Sequence, residues 1–311
     1  MKKLFFLFTC LIGTVAFSQN TISEEIKINP FVDGILQIPT EGASHPLVIL
    51  IAGSGPTDRD GNSPMTKNNS LKFLADGLTQ NQIAVFRFDK RTVKMSRQSS
   101  PDIDKLVFND FVKDVKQIIE KFKDDSRFSK IILAGHSKGS LIGMIAATDN
   151  PNVDAFISIA GAGQTIDNVI VEQLHRQMPH LSENARKSFD EMKNNGVSKN
   201  YLPSLASIFD PSIQPFMLSW MKYNPQEEIS KLNIPILIIN GTEDVQINED
   251  EADFLYKASP ESELLIIENM NHVFKRIETG DTMDNGKSYN EPLRPVMPEL
   301  IDGIVKFVEK L

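Results

Sequence analysis

Six short apolar runs dictate most of what this chain can fold into. Residues 47–51, 83–88, 130–134, 155–159, 234–239 and 263–267 are rich in Ile, Leu, Val and Phe, and most lack the polar alternation of a half-exposed strand. Runs of this kind suit strands covered on both faces. Between them lie segments of helical period. Residues 106–122 place Leu106, Phe111, Val115, Ile118, Ile119 and Phe122 on one face. Residues 70–78, 249–257 and 298–310 read the same way. Alternating strands and helices predict an α/β fold: a mostly parallel central sheet with helices on both faces and ligand chemistry at the carboxyl ends of the strands. Residues 25–29 and 34–38 predict an opening antiparallel hairpin.

One stretch interrupts the alternation. Residues 164–232 hold helical segments cut by Pro179, Pro203, Pro211, Pro215 and Pro225, with no strand among them. Lying between two core strands, they read as a helical cap inserted into one domain spanning residues 19–311. Residues 279–297, rich in Gly, Asn, Asp and Pro, read as a long loop.

The first eighteen residues read as an export signal. Lys2 and Lys3 precede an apolar stretch, and Ala16-Phe17-Ser18 offers a small-residue cleavage site. The stretch is too short to span a bilayer, so a periplasmic or secreted protein with no stable membrane insertion is expected. Cys10, the one cysteine, leaves with the signal, which excludes disulfides, a cysteine nucleophile and a thiolate metal site. Loss of Lys2 and Lys3 leaves 31 basic against 41 acidic side chains, a net charge of −10. That repulsive field disfavours nucleic acid and anionic membrane surfaces as partners.

The run at 130–134 leads into Gly135-His136-Ser137-Lys138-Gly139 and then a small-residue helix. A G-x-S-x-G turn between strand and helix holds its serine at the apex, and its glycines leave room where chain segments crowd. Ser137 needs a base, because a serine hydroxyl is a weak nucleophile at neutral pH. Of five histidines, His45 belongs to the wrong edge of the sheet, His136 points away from the apex, and His175 and His180 fall in the insertion. His272, in the loop after the last core strand, is the remaining choice. An acid must orient it, and the loop after residues 234–239 offers Glu243 and Asp244; the turn allowed by Gly241 favours Asp244. Oxyanion donors are expected from the backbone N–H of Lys138 and from the loop Ala52-Gly53-Ser54-Gly55-Pro56, with Ser54 preferred to its neighbour Gly55.

Taken with Gly53-Ser54-Gly55-Pro56-Thr57-Asp58-Arg59-Asp60-Gly61-Asn62 and Phe86-Arg87-Phe88-Asp89-Lys90-Arg91, residues 25–311 resemble the α/β-hydrolases, in particular the bacterial esterase D-like branch related to serine aminopeptidases. The order Ser137, Asp244, His272 is the one expected there. The resemblance implies hydrolysis of carboxylic esters, small molecules with short acyl chains, without metal or organic cofactor. The same triad could serve a peptidase, amidase or thioesterase, and a non-catalytic binding module is the alternative of another class. Two features depart from that branch: residues 92–96 lack the usual glycines, and Lys138 stands where an acidic or apolar residue is common. Lys138 and Arg59 are therefore candidates for recognising an anionic substrate group, or for pairing with acids such as Asp58 and Asp60. Gly55 and Arg59 complete the expected substrate contacts. Asp89 and Arg91 read as a structural ion pair.

Overall fold

The computed structural model describes residues 21–97 and 103–311. The expected export signal, residues 1–18, lies outside them. Among the described residues, eight strands form one sheet: β1 (Thr21–Lys27), β2 (Asp33–Pro39), β3 (His45–Ile51), β4 (Ala84–Phe88), β5 (Phe128–His136), β6 (Ala155–Ile159), β7 (Ile236–Gly241) and β8 (Glu263–Ile267). Their spatial order is β1-β2-β4-β3-β5-β6-β7-β8. β1 and β2 pair antiparallel, as does β2 with β4, and every pairing from β4 to β8 is parallel. This is an α/β-hydrolase sheet. Strand edges differ from the sequence reading where local chemistry intervenes. β7 begins at Ile236, not 234, because Pro235 has no N–H to give a ladder. β1 ends at Lys27, because the Asn29 side chain takes the N–H groups of Phe31 and Val32 and turns the chain.

Among the described residues, twelve α-helices accompany the sheet: α1 (Ser70–Gln80), α2 (Arg91–Met95), α3 (Phe108–Phe122), α4 (Lys138–Ala147), α5 (Ile166–Gln177), α6 (Pro179–Asn195), α7 (Ala206–Phe209), α8 (Gln214–Trp220), α9 (Pro225–Ile229), α10 (Glu249–Ala258), α11 (Thr282–Ser288) and α12 (Pro298–Val308). Strand side chains alternate between two apolar layers. Leu47, Ile49, Ile131, Leu133 and Ile238 face α3 and α4, whereas Val48, Leu50, Ile132, Ile157 and Ile239 face α1 and α12. From β3 to β7 both faces are buried, which leaves the strand ends of the central sheet for chemistry.

Helices α5–α9 occupy the interval between β6 and β7. Of these, α8 packs onto α3 through rings: Phe108 stacks on Trp220 at 5.6 Å, and Phe111 meets Phe216 edge-on at 6.0 Å. The Ser219 hydroxyl accepts the free N–H of Phe108 at the start of α3. The stretch expected as a loop, 279–297, instead contains α11. Its N-terminus is capped by Asp281, whose carboxylate accepts the Asp284 N–H at 2.9 Å. A seven-residue polar segment carrying Gly286 has no helical signature of its own; the cap and its tertiary hydrogen bonds supply the stability.

Candidate active site

β5 delivers Ser137 to its turn at φ 54°, ψ −124°, a conformation that L-residues rarely adopt. Packing enforces it. A Cβ on Gly139 would lie 2.1 Å from the Ile51 carbonyl oxygen, and one on Gly135 would lie 2.3 Å from the Gly139 carbonyl oxygen. Strand β3, the turn and α4 therefore close on one another only with glycine at both places. Ser137 and His272 line one cleft of about 380 Å³, together with Gly53, Ser54, Leu141, Trp220 and Tyr289.

The histidine is fixed from both sides. His272 Nδ1 lies 2.7 Å from Asp244 Oδ2, and both side chains are almost wholly buried. The other carboxylate oxygen of Asp244 accepts the backbone N–H groups of Gln246 (2.8 Å) and Ile247 (2.9 Å). With both oxygens committed, the carboxylate cannot rotate away. It binds Nδ1–H and leaves Nε2 as the imidazole's base. Glu243 is directed elsewhere, accepting the Gly280 N–H, so Asp244 is the acid that meets the histidine. The His272 carbonyl accepts a hydrogen bond from His136 Nε2 at 2.9 Å, while burial holds the His136 imidazole well below the ordinary histidine range. His136 is thus a neutral donor behind the site. His45 opens β3 and bonds the Gln82 carbonyl oxygen at the far end of the sheet, and His175 and His180 are exposed on the insertion.

Several supports were not legible in the sequence. Asn271 Oδ1 accepts the N–H groups of Val273 and Lys275, while its Nδ2 donates to Asn285 and Ser288 of α11. Asn285 also donates to the Glu243 carbonyl oxygen, so α11 ties the histidine loop to the acid loop. Gln246 donates to the Tyr289 hydroxyl at 2.8 Å. Burial, then the Asp244 charge, pushes the tyrosine pKa up and keeps it protonated. Asparagines in irregular loops carry no periodic signal, which is why none of these stood out.

Around the oxyanion loop, Lys90 donates to the carbonyl oxygens of Gly53 and Gly55. In a trans peptide the N–H is directed opposite to the C=O, so Lys90 aims the Ser54 N–H away from itself. Lys138, at the first turn of α4, presents its backbone N–H at the same end of the sheet. Gly55 does not line the cleft. Arg59 does not line it either. It pairs with Asp89 (2.8 Å), Glu25 (2.7 Å) and Asp33 (3.4 Å), and its N–H binds Asp89 as well. Those acids replace the expected Asp58 and Asp60, of which Asp60 holds Arg87. An arginine surrounded by three carboxylates is neutralised, which removes it from substrate recognition. Asp89 and Arg91 do not pair with each other, for Arg91 forks onto Asp114 through Nε and a terminal nitrogen. The side chain of Lys138, by contrast, meets no acid among the described residues.

A family model described as serine aminopeptidase, S33, matches residues 69–276. An esterase, EstD, from Thermotoga maritima is 26% identical over 255 residues, covering 80% of this chain and 59% of the esterase, so the alignment leaves a large part of that relative unmatched. The human serine hydrolase BPHL is 26% identical over 267 residues, with 83% of this chain and 82% of the relative covered. Among solved structures, Est1E from Butyrivibrio proteoclasticus superposes with a TM-score of 0.56 at 15% identity, covering 93% of this chain and 96% of its own. The Pyrococcus furiosus esterase Pf2001 gives 0.56 at 14% identity, covering 93% and 91%. These two likenesses bear on the fold.

Proposed function

Because this chain belongs to the serine aminopeptidase (S33) family of α/β-hydrolases, we propose that it is a serine carboxylesterase acting on short-acyl esters. The observation that carries this reading is the buried 2.7 Å contact from His272 to Asp244, in a cleft that also holds the strained Ser137. Ser137 Oγ attacks the ester carbonyl carbon while His272 Nε2 takes its proton. The negative oxygen of the tetrahedral intermediate is held by the N–H groups of Ser54 and Lys138, each worth about 3 kcal/mol. Collapse breaks the C–O bond, and His272 returns the proton to the departing alcohol. Water then attacks the acyl-enzyme, giving a proton to His272. The carboxylic acid leaves and Ser137 regains its hydrogen. Helices α5–α9 serve as the cap over this site, and the basic-apolar-small leader supports an exported enzyme.

Labelling with a fluorophosphonate probe tests the nucleophile: wild type is labelled and Ser137→Ala is not. An unlabelled wild type sinks the reading. A panel of 4-nitrophenyl esters from acetate to decanoate, with an aminoacyl anilide and a thioester alongside, then fixes the reaction class. Fastest turnover on the C2–C6 esters is expected, and preferential anilide cleavage refutes the carboxylesterase assignment.

A further inference from the structure

Two lysines are buried side by side behind the nucleophile, and neither makes an ion pair among the described residues. Lys138 is 8% exposed and Lys90 is 2% exposed. Lys90 donates to two carbonyl oxygens, and both amines stand over the same Phe111 ring. A neutral amine has two N–H donors and one lone pair. Two carbonyl acceptors match the two donors, and burial, then the Lys138 charge, hold Lys90 well below the ordinary lysine range, so Lys90 is the neutral partner and Lys138 carries the charge.

The Lys138 ammonium stands over three rings, with Nζ 4.5 Å from the Phe111 centroid, 5.1 Å from Phe216 and 5.3 Å from Trp220. Ring faces stabilise a cation without accepting its hydrogen bonds in full. Among the described residues, no carboxylate or carbonyl accepts from this ammonium. Trp220, one wall of this cage, also lines the cleft, as does Lys138 itself. Leaving a cation dry and unpaired is costly unless something completes the pair.

We propose that Lys138 is an anion subsite within the cleft, selecting esters that carry a carboxylate in addition to the ester group, such as half-esters of short dicarboxylic acids. A single cation in an apolar cage suits a monoanion rather than a phosphate dianion. The proposal rests on the esterase reading for the ester, and on the lysine cage alone for the carboxylate.

Two matched pairs test it: mono-4-nitrophenyl glutarate against its methyl diester, and 4-carboxyphenyl butyrate against phenyl butyrate. The first pair places the charge on the acyl side and the second on the alcohol side. For at least one pair, the anionic-to-neutral ratio of kcat/KM should exceed one in wild type. It should fall by about 30-fold or more in Lys138→Met and in Lys138→Gln, the loss expected for one charge-assisted hydrogen bond. Ratios below one in wild type, or unmoved by both substitutions, overturn the subsite. A binding measurement separates this from the esterase reading. Glutarate should raise the unfolding midpoint of wild type by about 2 °C and leave both variants unmoved. Should wild type cleave no ester yet show that Lys138-dependent shift, the esterase reading fails and the subsite stands. Absence of any glutarate shift, with unmoved ratios, removes the subsite alone.

Discussion

Asp244 illustrates how much of this site depends on a single charged atom. One of its oxygens is fixed by two backbone N–H groups and the other faces His272. Asp244→Asn keeps the shape but can present an N–H to the ring, turning the imidazole to the wrong tautomer. A loss of about 10⁴-fold in kcat on a 4-nitrophenyl ester is expected, with little change in unfolding midpoint. Lys138 makes the complementary case, a residue retained against stability. Burial pulls its pKa down to about 8, from an ordinary 10.5. Between those values the unfolded chain binds the proton and the native state does not, so this residue's contribution to stability rises with pH from about 8 to 10.5 and is a penalty below. Lys138→Met should therefore stabilise the protein by about 2 kcal/mol at pH 7, with the advantage shrinking by pH 10. Urea unfolding at both pH values checks this; a variant less stable than wild type at pH 7 contradicts it.

At the scale of elements, the site is held by connections that the strand-helix alternation does not announce. Helix α11 lies in a segment whose composition reads as loop, yet Asn285 and Ser288 grip Asn271, next to His272, and Asn285 also holds the Glu243 carbonyl next to Asp244. Asn271→Ala removes four hydrogen bonds at once and leaves buried donors without partners. It should cost about 2–3 kcal/mol in denaturant unfolding and at least tenfold in kcat, because the histidine loses its backing. The strand-turn-helix around Ser137 was legible for the opposite reason: its glycines, its apolar run and its small-residue helix are all consecutive in the chain. The acid and the base could be placed on loops by topology. The choice between Glu243 and Asp244 required the fold of the loop, in which Glu243 turns to Gly280.

For the molecule as a whole, Arg59 ties together the opening hairpin, the oxyanion loop and the end of β4 through Glu25, Asp33 and Asp89. The Asp89 carboxyl, though half-buried, is held below the usual carboxylate range by hydrogen bonds and charge from Arg59. A carboxylate with a depressed native pKa contributes its stability fully above pH 4 and loses it as pH falls below that. Arg59→Gln should destabilise by about 2 kcal/mol at neutral pH, and the gap from wild type should narrow below pH 4 in acid unfolding. Short strands buried on both faces, amphipathic helices between them and a serine turn with an acid and a histidine after it determined the α/β-hydrolase sheet and nominated Ser137, Asp244 and His272. All of that rests on local pattern and chain order, which sequence carries. Only the tertiary structure decided the fate of the charges. Arg59, expected to meet substrate, is surrounded by carboxylates from β1, the start of β2 and the end of β4, while Lys138, open to the same expectation, is enclosed by rings from α3 and α8 with no acid beside it among the described residues. A charge is paired or left unpaired by whatever the fold brings within a few ångströms of it, and no spacing along the chain encodes that distance.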